Sequence, residues 1–248
     1  EKTALLWHEG RWLKPHGTTP TTHIFKTQIG TLPNGIDLTN SVENELYCLA
    51  LAEAFGLPVN KARIAKFGET KALVIERFDR HWTEGGRLIR LPQEDCCQAL
   101  SVPPTMKYES EGGPGMAAIL NLLKGSDTPA QDQATFLTAQ MLFWIIGATD
   151  GHAKNFSVFL TPGGGYRATP LYDILTAQPS LDINQITRKQ MKLAMAVGMN
   201  RHYRIDQIQL RHFLQTAAKC GEGFYCTNCR SRRTRLRACD QIATWRLS

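Results

Sequence analysis

Asp150-Gly-His152-Ala153-Lys154-Asn155, followed further on by Tyr172-Asp173, decides how this chain is read. The hexapeptide is crowded with polar groups, yet apolar runs bracket it at 143–148 and 156–160. Packing gives no reason to press an Asp, a His and an Asn against core-type sequence, whereas polar loops on rigid scaffolds are where function concentrates. The plainer alternative, an Asp-Gly turn joining helix to strand, needs neither His152 nor Asn155. Working outward, 130–147 reads as a helix that is apolar on most sides and therefore central to a helical layer. Residues 156–160 and 165–169 read as a hairpin through Pro162-Gly-Gly-Gly165. That hairpin carries Asn155 at its entry and Asp173 just beyond its exit.

Further out, 3–7 and 23–29 read as strands joined by a Gly/Pro-rich connection at 14–20. Ser41 is the expected N-cap of a helix, with Val42, Leu46, Leu49 and Glu53 at helical spacing and Gly56 closing it. Residues 71–78 form a buried-strand pattern. Pro92 is expected to open a helix whose first turn holds Glu94 and Asp95, as the helix dipole favours. The run Glu109-Ser-Glu-Gly-Gly-Pro-Gly115 reads as a loop, and 115–124 and 208–218 read as helices. No internal repeat is present. Strands first, then helices with one embedded hairpin, describe an α+β, two-lobed architecture with its site in the cleft.

Bulk properties bound the answer. The chain has 248 residues, 42% apolar and 21% charged, as a globular protein has. Its longest apolar run, 141–148, is far short of the roughly 20 residues of a membrane-spanning helix, so no membrane partner is expected. The net charge of +7 is mostly a tail property: six Arg against Glu222 and Asp240 put +4 on residues 220–248 and leave +3 for the rest. The basicity therefore says little about the partners of the body. Cys48 falls in a helical apolar pattern, and nothing demands an oxidising compartment, so a reduced, cytoplasmic protein is expected.

The order Asp150, Asn155, Asp173 is the one protein kinases use, although Thr149 and Ile174 stand where their neighbours are usually Arg and Phe-Gly. There, one Asp orients the acceptor hydroxyl, while an Asn and a second Asp hold magnesium on the nucleotide phosphates. Phosphoryl transfer also asks for a strand cation. Lys26 alternates with Ile24 and shares its face, although a solvent-facing lysine is the ordinary alternative. Glu45 shares a helical face with Leu49 and Ala52, points inward more than Glu43, and is the candidate partner of Lys26. Glu76-Arg77-Phe78, ending the 71–78 strand, is the candidate hinge for an adenine edge. Lys154 could offset phosphate charge, and His152 could brace the loop or touch the nucleotide.

Taken together, the residues resemble the HipA family of bacterial toxin kinases. The resemblance runs from Glu1 to about Ala218. It rests on Glu1-Lys-Thr-Ala-Leu-Leu6, Leu91-Pro-Gln-Glu-Asp95, Lys107-Tyr-Glu-Ser-Glu-Gly-Gly-Pro-Gly115, Ile146-Gly-Ala-Thr-Asp-Gly-His-Ala-Lys-Asn-Phe-Ser157 and Tyr172-Asp-Ile174. It implies a serine/threonine protein kinase of a type II toxin–antitoxin module, using ATP and Mg2+. It also implies an aminoacyl-tRNA synthetase as protein substrate, growth arrest or persistence as outcome, and a HipB-like antitoxin through which DNA is mainly met. By resemblance Asp150 is the catalytic residue. Lys2, Lys26, Glu76, Arg77, Phe78, His152, Ala153, Lys154, Asn155, Tyr172 and Asp173 are nucleotide contacts, with Asn155 and Asp173 as metal ligands. The expected division is 1–80 as a partial β-rich nucleotide-binding lobe, 81–219 as a helical lobe and 220–248 as a divergent Cys/Arg-rich tail.

Two departures accompany the resemblance. Family chains carry an N-terminal subdomain, a Gly-rich phosphate loop and an autophosphorylated Ser before the point where this sequence begins, and only Glu1 and Lys2 of that loop are present. A chain truly starting there would bind phosphates more weakly through its backbone. The tail reads as a truncated or frame-shifted end, or, through Cys220, Cys226, Cys229 and Cys239, as a zinc site. Its Arg-rich run, 230–237, reads as a solvated face or an unfolded stretch. Competing readings are a catalytically impaired remnant that still binds the antitoxin, and a kinase acting on a small molecule.

Overall fold

The structure is a computed structural model and describes residues 2–220. Glu1 and the tail cysteines Cys226, Cys229 and Cys239, with the arginine-rich run, lie outside the described residues. Cys220 is buried at the end of the Leu210–Lys219 helix.

Five antiparallel strands form the N-terminal sheet, in the spatial order Arg11–Leu13, Lys2–His8, His23–Thr27, Thr70–Glu76, Ala62–Phe67. Side chains alternate between its faces. Leu73 and Ile75 pack with Val42 of the Ser41–Ala54 helix, while Ala72 and Val74 pack with Phe25 on the opposite face. The register pairs Lys26 with Leu73 and Ile24 with Ile75. Residues directly opposite share a face, so Lys26 is carried on the face that the helix covers.

The larger core gathers the helices Met116–Leu123, Pro129–Ile146 and Leu210–Lys219, and the strand Lys192–Val197. Pro129–Ile146 buries Phe136, Leu137, Ala139, Gln140, Leu142, Phe143 and Trp144, which fits its all-round apolar pattern. It ends on Gly147 with φ 70, the left-handed cap that a glycine adopts freely. The chain then turns through Asp150 into the hairpin Ser157–Leu160 and Tyr166–Ala168.

Several expectations need correction. Pro92 opens no helix: Gln93–Asp95 is a strand on the edge of the hairpin, pairing with residues 157–159. Asp95 then caps the four-residue Cys96–Ala99 helix by accepting from Gln98 N at 3.0 Å. The helix thus starts four residues beyond Pro92, and the Asp95 carboxylate caps it instead of lying inside its first turn. Ser41 is the first helical residue rather than the cap, and its hydroxyl accepts the Ile29 N–H at 2.9 Å. The second strand stops at Thr27, and Gly30–Thr31 pairs instead with Asp37–Leu38. Glu109–Glu111 forms one 3-10 turn within the expected loop.

Two sets of bonds tie the sheet side to the C-terminal part. The Asn44 amide donates to Thr176 O at 2.9 Å and accepts from Thr176 N at 3.0 Å. Asn60 N donates to Leu171 O at 2.8 Å, and Leu171 N donates to Pro58 O at 2.8 Å. The segment bearing Tyr172 and Asp173 is thereby held against the helix that bears Glu45.

Candidate active site

Lys26 is the centre of the site. Its ammonium donates to both Glu45 carboxylate oxygens, at 2.8 and 2.9 Å, and to Asp173 Oδ1 at 2.6 Å. Glu45 is 3% exposed and Asp173 lies at the rim. Burial opposes the charge on Lys26, but the Glu45 and Asp173 carboxylates outweigh it and hold its pKa above the ordinary lysine value. Burial likewise pushes the Glu45 carboxyl up, and Lys26 offsets only part of that. The inward turn of Glu45 matches its helical phase. Glu43, two residues earlier, meets Lys71 nearer the surface instead.

Asp173 has φ 58, a left-handed conformation that Asp and Asn adopt more readily than bulkier residues. Its main-chain oxygen accepts from Asn155 Nδ2 at 3.4 Å. Asn155 is buried, and its Oδ1 takes the His152 N–H at 3.2 Å. A carbonyl oxygen has two lone pairs, so one remains for a further partner. Tyr172 donates to Lys154 O at 2.9 Å, shares a 2.5 Å bond with the Ser157 hydroxyl, and packs its ring 5.6 Å from that of Phe78.

Lys2, Lys26, Arg77, Phe78, Lys154, Tyr172 and Asp173 converge on one cleft of about 480 Å³. Its walls also include Ile24, Leu49, Ile75 and Asn60. Apolar walls with a few directed polar groups, at this size, are what small-ligand sites look like. Of the expected residues, Glu76, Asp150, His152, Ala153 and Asn155 do not line this cleft. Glu76 is exposed in its strand, and its N–H is used by Lys61 O at 2.9 Å. Arg77 spends its guanidinium on Asp79, at 3.0 and 2.8 Å, so at the hinge it acts as a brace. Lys154 is paired with Asp95 Oδ2 at 2.6 Å.

Asp150 lies in the 148–155 loop with its carboxylate largely exposed. Tyr108 O–H donates to its Oδ1 at 2.5 Å, and His152 Nε2 lies 3.9 Å from its Oδ2. His152 is buried, and its ring meets Tyr108 edge-on at 5.1 Å. Burial lowers the His152 pKa more than Asp150 raises it, so the ring is neutral at pH 7. Ala153 is buried and its N–H reaches Lys107 O at 3.4 Å. These contacts give His152 and Ala153 a loop-bracing place.

Sequence reasoning missed Tyr108 and Asp95. Tyr108 sits in a segment whose glycines allow close approach: a Cβ on Gly113 would collide with the Met106 carbonyl, and one on Gly115 with the Glu109 carboxylate. Gly113 and Gly115 were visible in the sequence, but only as loop punctuation. Asp95 was read as a dipole acid, and nothing local to it signals a partner 59 residues away.

Known proteins share this arrangement of chain. Y4mE of Sinorhizobium fredii is 36% identical over 198 residues, covering 79% of this chain and 44% of its own. The serine/threonine-protein kinase toxin HipA of Shewanella oneidensis is 30% identical over 208 residues, covering 79% of this chain and 45% of its own. A solved structure of Shewanella oneidensis HipA with HipB and its operator DNA superposes with TM-score 0.73 at 27% identity, over 89% of this chain and 50% of that one. The Helicobacter pylori proinflammatory kinase CtkA, 12% identical, shares the fold with TM-score 0.57 over 88% of this chain and 77% of its own. The α+β, two-lobed kinase-like architecture is therefore the fold of this protein. The chain spans about half the length of the HipA it matches. The family match extends over residues 1–245, past Ala218 where the quoted motifs end. The chain belongs to the HipA-like C-terminal domain family.

Proposed function

We propose that this chain transfers the γ-phosphoryl group of ATP to a serine hydroxyl of a protein. The observation that carries this reading is the meeting of Lys26 with Glu45 and Asp173 in one cleft, a strand cation anchored by a helix carboxylate beside a second, exposed one. Phosphoryl transfer depends on positioning and charge neutralisation, and this arrangement supplies both. In this reading residues 1–80 bind the nucleotide and 81–219 carry the acceptor side.

The residues fit ATP and magnesium. Lys26 is held through both Glu45 oxygens and can turn to phosphate without losing that anchor. Lys2 adds a second cation on the neighbouring strand, paired in register with Lys26. The main chain at Phe78, with the apolar walls of Ile24 and Ile75, suits an adenine edge. Asn155 Oδ1 and the Asp173 carboxylate would hold magnesium, which supplies positive charge to the phosphates during transfer. A magnesium site of one carboxylate plus substrate oxygens needs no all-protein cage. Asp150 is exposed enough to meet a hydroxyl on an incoming protein, orient it and accept its proton.

The names of the relatives support the biological reading of a toxin held by a HipB-like antitoxin and brought to DNA through it, and a cytoplasmic place goes with that reading. An aminoacyl-tRNA synthetase is the proposed substrate, with arrested translation and persistence as the result. The test is transfer from labelled ATP to a purified tRNA synthetase. Asp150→Ala should lower the rate at least about a hundredfold. Equal rates for variant and wild type would remove Asp150 from the mechanism.

A further inference from the structure

Next to Asp150 lies a second concavity, of about 550 Å³. It is lined by Thr149, the residue before Asp150, and by Tyr108, which bonds the Asp150 carboxylate. Lys192, Arg201 and Arg204 line it too, together with Leu193, Ala194 and Tyr203. The cations arise from a segregation of charge along the chain. Residues 183–220 hold seven Lys/Arg against the single acid Asp206, while residues 2–182 hold sixteen against eighteen Asp/Glu.

Two of these cations are pre-oriented. Arg201 sits in a hairpin turn with φ 54, a left-handed position where glycine or asparagine is the usual choice. Its guanidinium lies 3.2 Å from Glu109 and donates to the Tyr203 hydroxyl at 2.9 Å, yet most of the side chain remains exposed. Arg204 is gripped by both Asp206 oxygens at 3.1 and 2.6 Å. A guanidinium has five N–H donors, so each keeps free edges for a second carboxylate.

We propose that this groove receives an extended protein segment whose acidic side chains flank the hydroxyl presented to Asp150. The inference rests on the kinase reading above and adds the charge of the substrate to it. Three cations in one groove that is also lined by apolar side chains suit a few carboxylates and their side-chain stems. A nucleic acid would ask for a longer track of phosphate contacts.

The experiment uses the whole 248-residue chain and three labelled serine peptides of equal length, with Glu, Ala or Lys flanking the serine. Fluorescence anisotropy reads binding, and labelled ATP reads transfer. Wild type should favour the Glu peptide over the Lys peptide by at least about tenfold in both. Lys192→Glu/Arg201→Glu should invert that order. Lys192→Glu alone, which leaves the Glu109 contact intact, should narrow it, with thermal melting as the control for folding. Equal binding of the three peptides, or an order untouched by both variants, overturns the groove. So does tighter binding of an oligonucleotide, with its steeper salt dependence, at the same residues. If the Glu preference appears in binding and no peptide is phosphorylated, the acidic-segment groove stands and the kinase reading is the one that falls.

Discussion

At the scale of single residues, Lys26 and Glu45 decide most. Glu45 is almost wholly buried, and Lys26 is its principal counter-charge. Removing one partner of a buried pair strands the other, which typically costs about 3–5 kcal/mol, whereas an apolar pair of similar volume is often tolerated. Lys26→Met is therefore expected to lower the urea midpoint sharply, and Lys26→Met/Glu45→Leu to recover most of the loss, while both abolish nucleotide transfer. A double variant no more stable than Lys26→Met would show that the pair is not what holds the helix to the strand. Tyr108→Phe tests a different contact. Its bond ends on an exposed carboxylate that water can satisfy. Stability should therefore change by no more than about 1 kcal/mol, while transfer falls because Asp150 loses its orientation. Of these three residues, Lys26 and Glu45 were legible from the alternation of a strand and the phase of a helix. Tyr108 was not, because its partner lies 42 residues away and no local pattern encodes that distance.

At the scale of elements, the 107–115 segment links the two sides of Asp150. Its glycines are packed rather than merely flexible. A methyl group on Gly113 would press on main chain at Met106, whereas one on Gly115 would press on the Glu109 carboxylate. Backbone cannot swing away, but the Glu109 side chain can, although it gives up its 2.6 Å bond from Ala196 N. Gly113→Ala should therefore destabilise by about 1–3 kcal/mol and more than Gly115→Ala, read as the ordering of their melting temperatures. The reverse ordering would mean that the Glu109 anchor is stiffer than the Met106 turn. The long helices and the site hairpin were readable because long periodic runs and a Gly-rich turn carry their own signal. The Gln93–Asp95 strand was not: three polar residues become a strand only because the 157–159 edge offers them partners. The Lys192–Val197 strand was missed as well, since its buried run has no alternation to separate it from a buried helix.

At the scale of the whole molecule, charge placement sets the response to acid. Burial lowers the pKa of the His23, His152 and His212 imidazoles below the ordinary 6.5. For each, the unfolded chain binds a proton more readily than the folded one. Their stabilisation is present above 6.5 and is lost as pH falls through the folded values. Asp79 behaves likewise at lower pH. Burial works to raise its pKa, but Arg77 and Arg80 outweigh that and hold it below the ordinary 3.8. Its contribution is intact above 3.8 and disappears as pH drops through the folded value. Glu45 has the opposite sign: burial raises its pKa above the ordinary 4.5, so it favours the fold at low pH and partly offsets the histidines. The urea midpoint should therefore decline as pH falls below 6.5, flatten where Glu45 protonates, and decline again below 3.8. Asp79→Asn removes the most buried of the carboxylates held below their ordinary values, among which Asp37, Glu43 and Asp206 also stand, and should shrink the final decline while leaving the first. A variant that still lost stability below pH 4 as steeply as wild type would move the origin of the acid limb away from the Arg77–Asp79–Arg80 cluster.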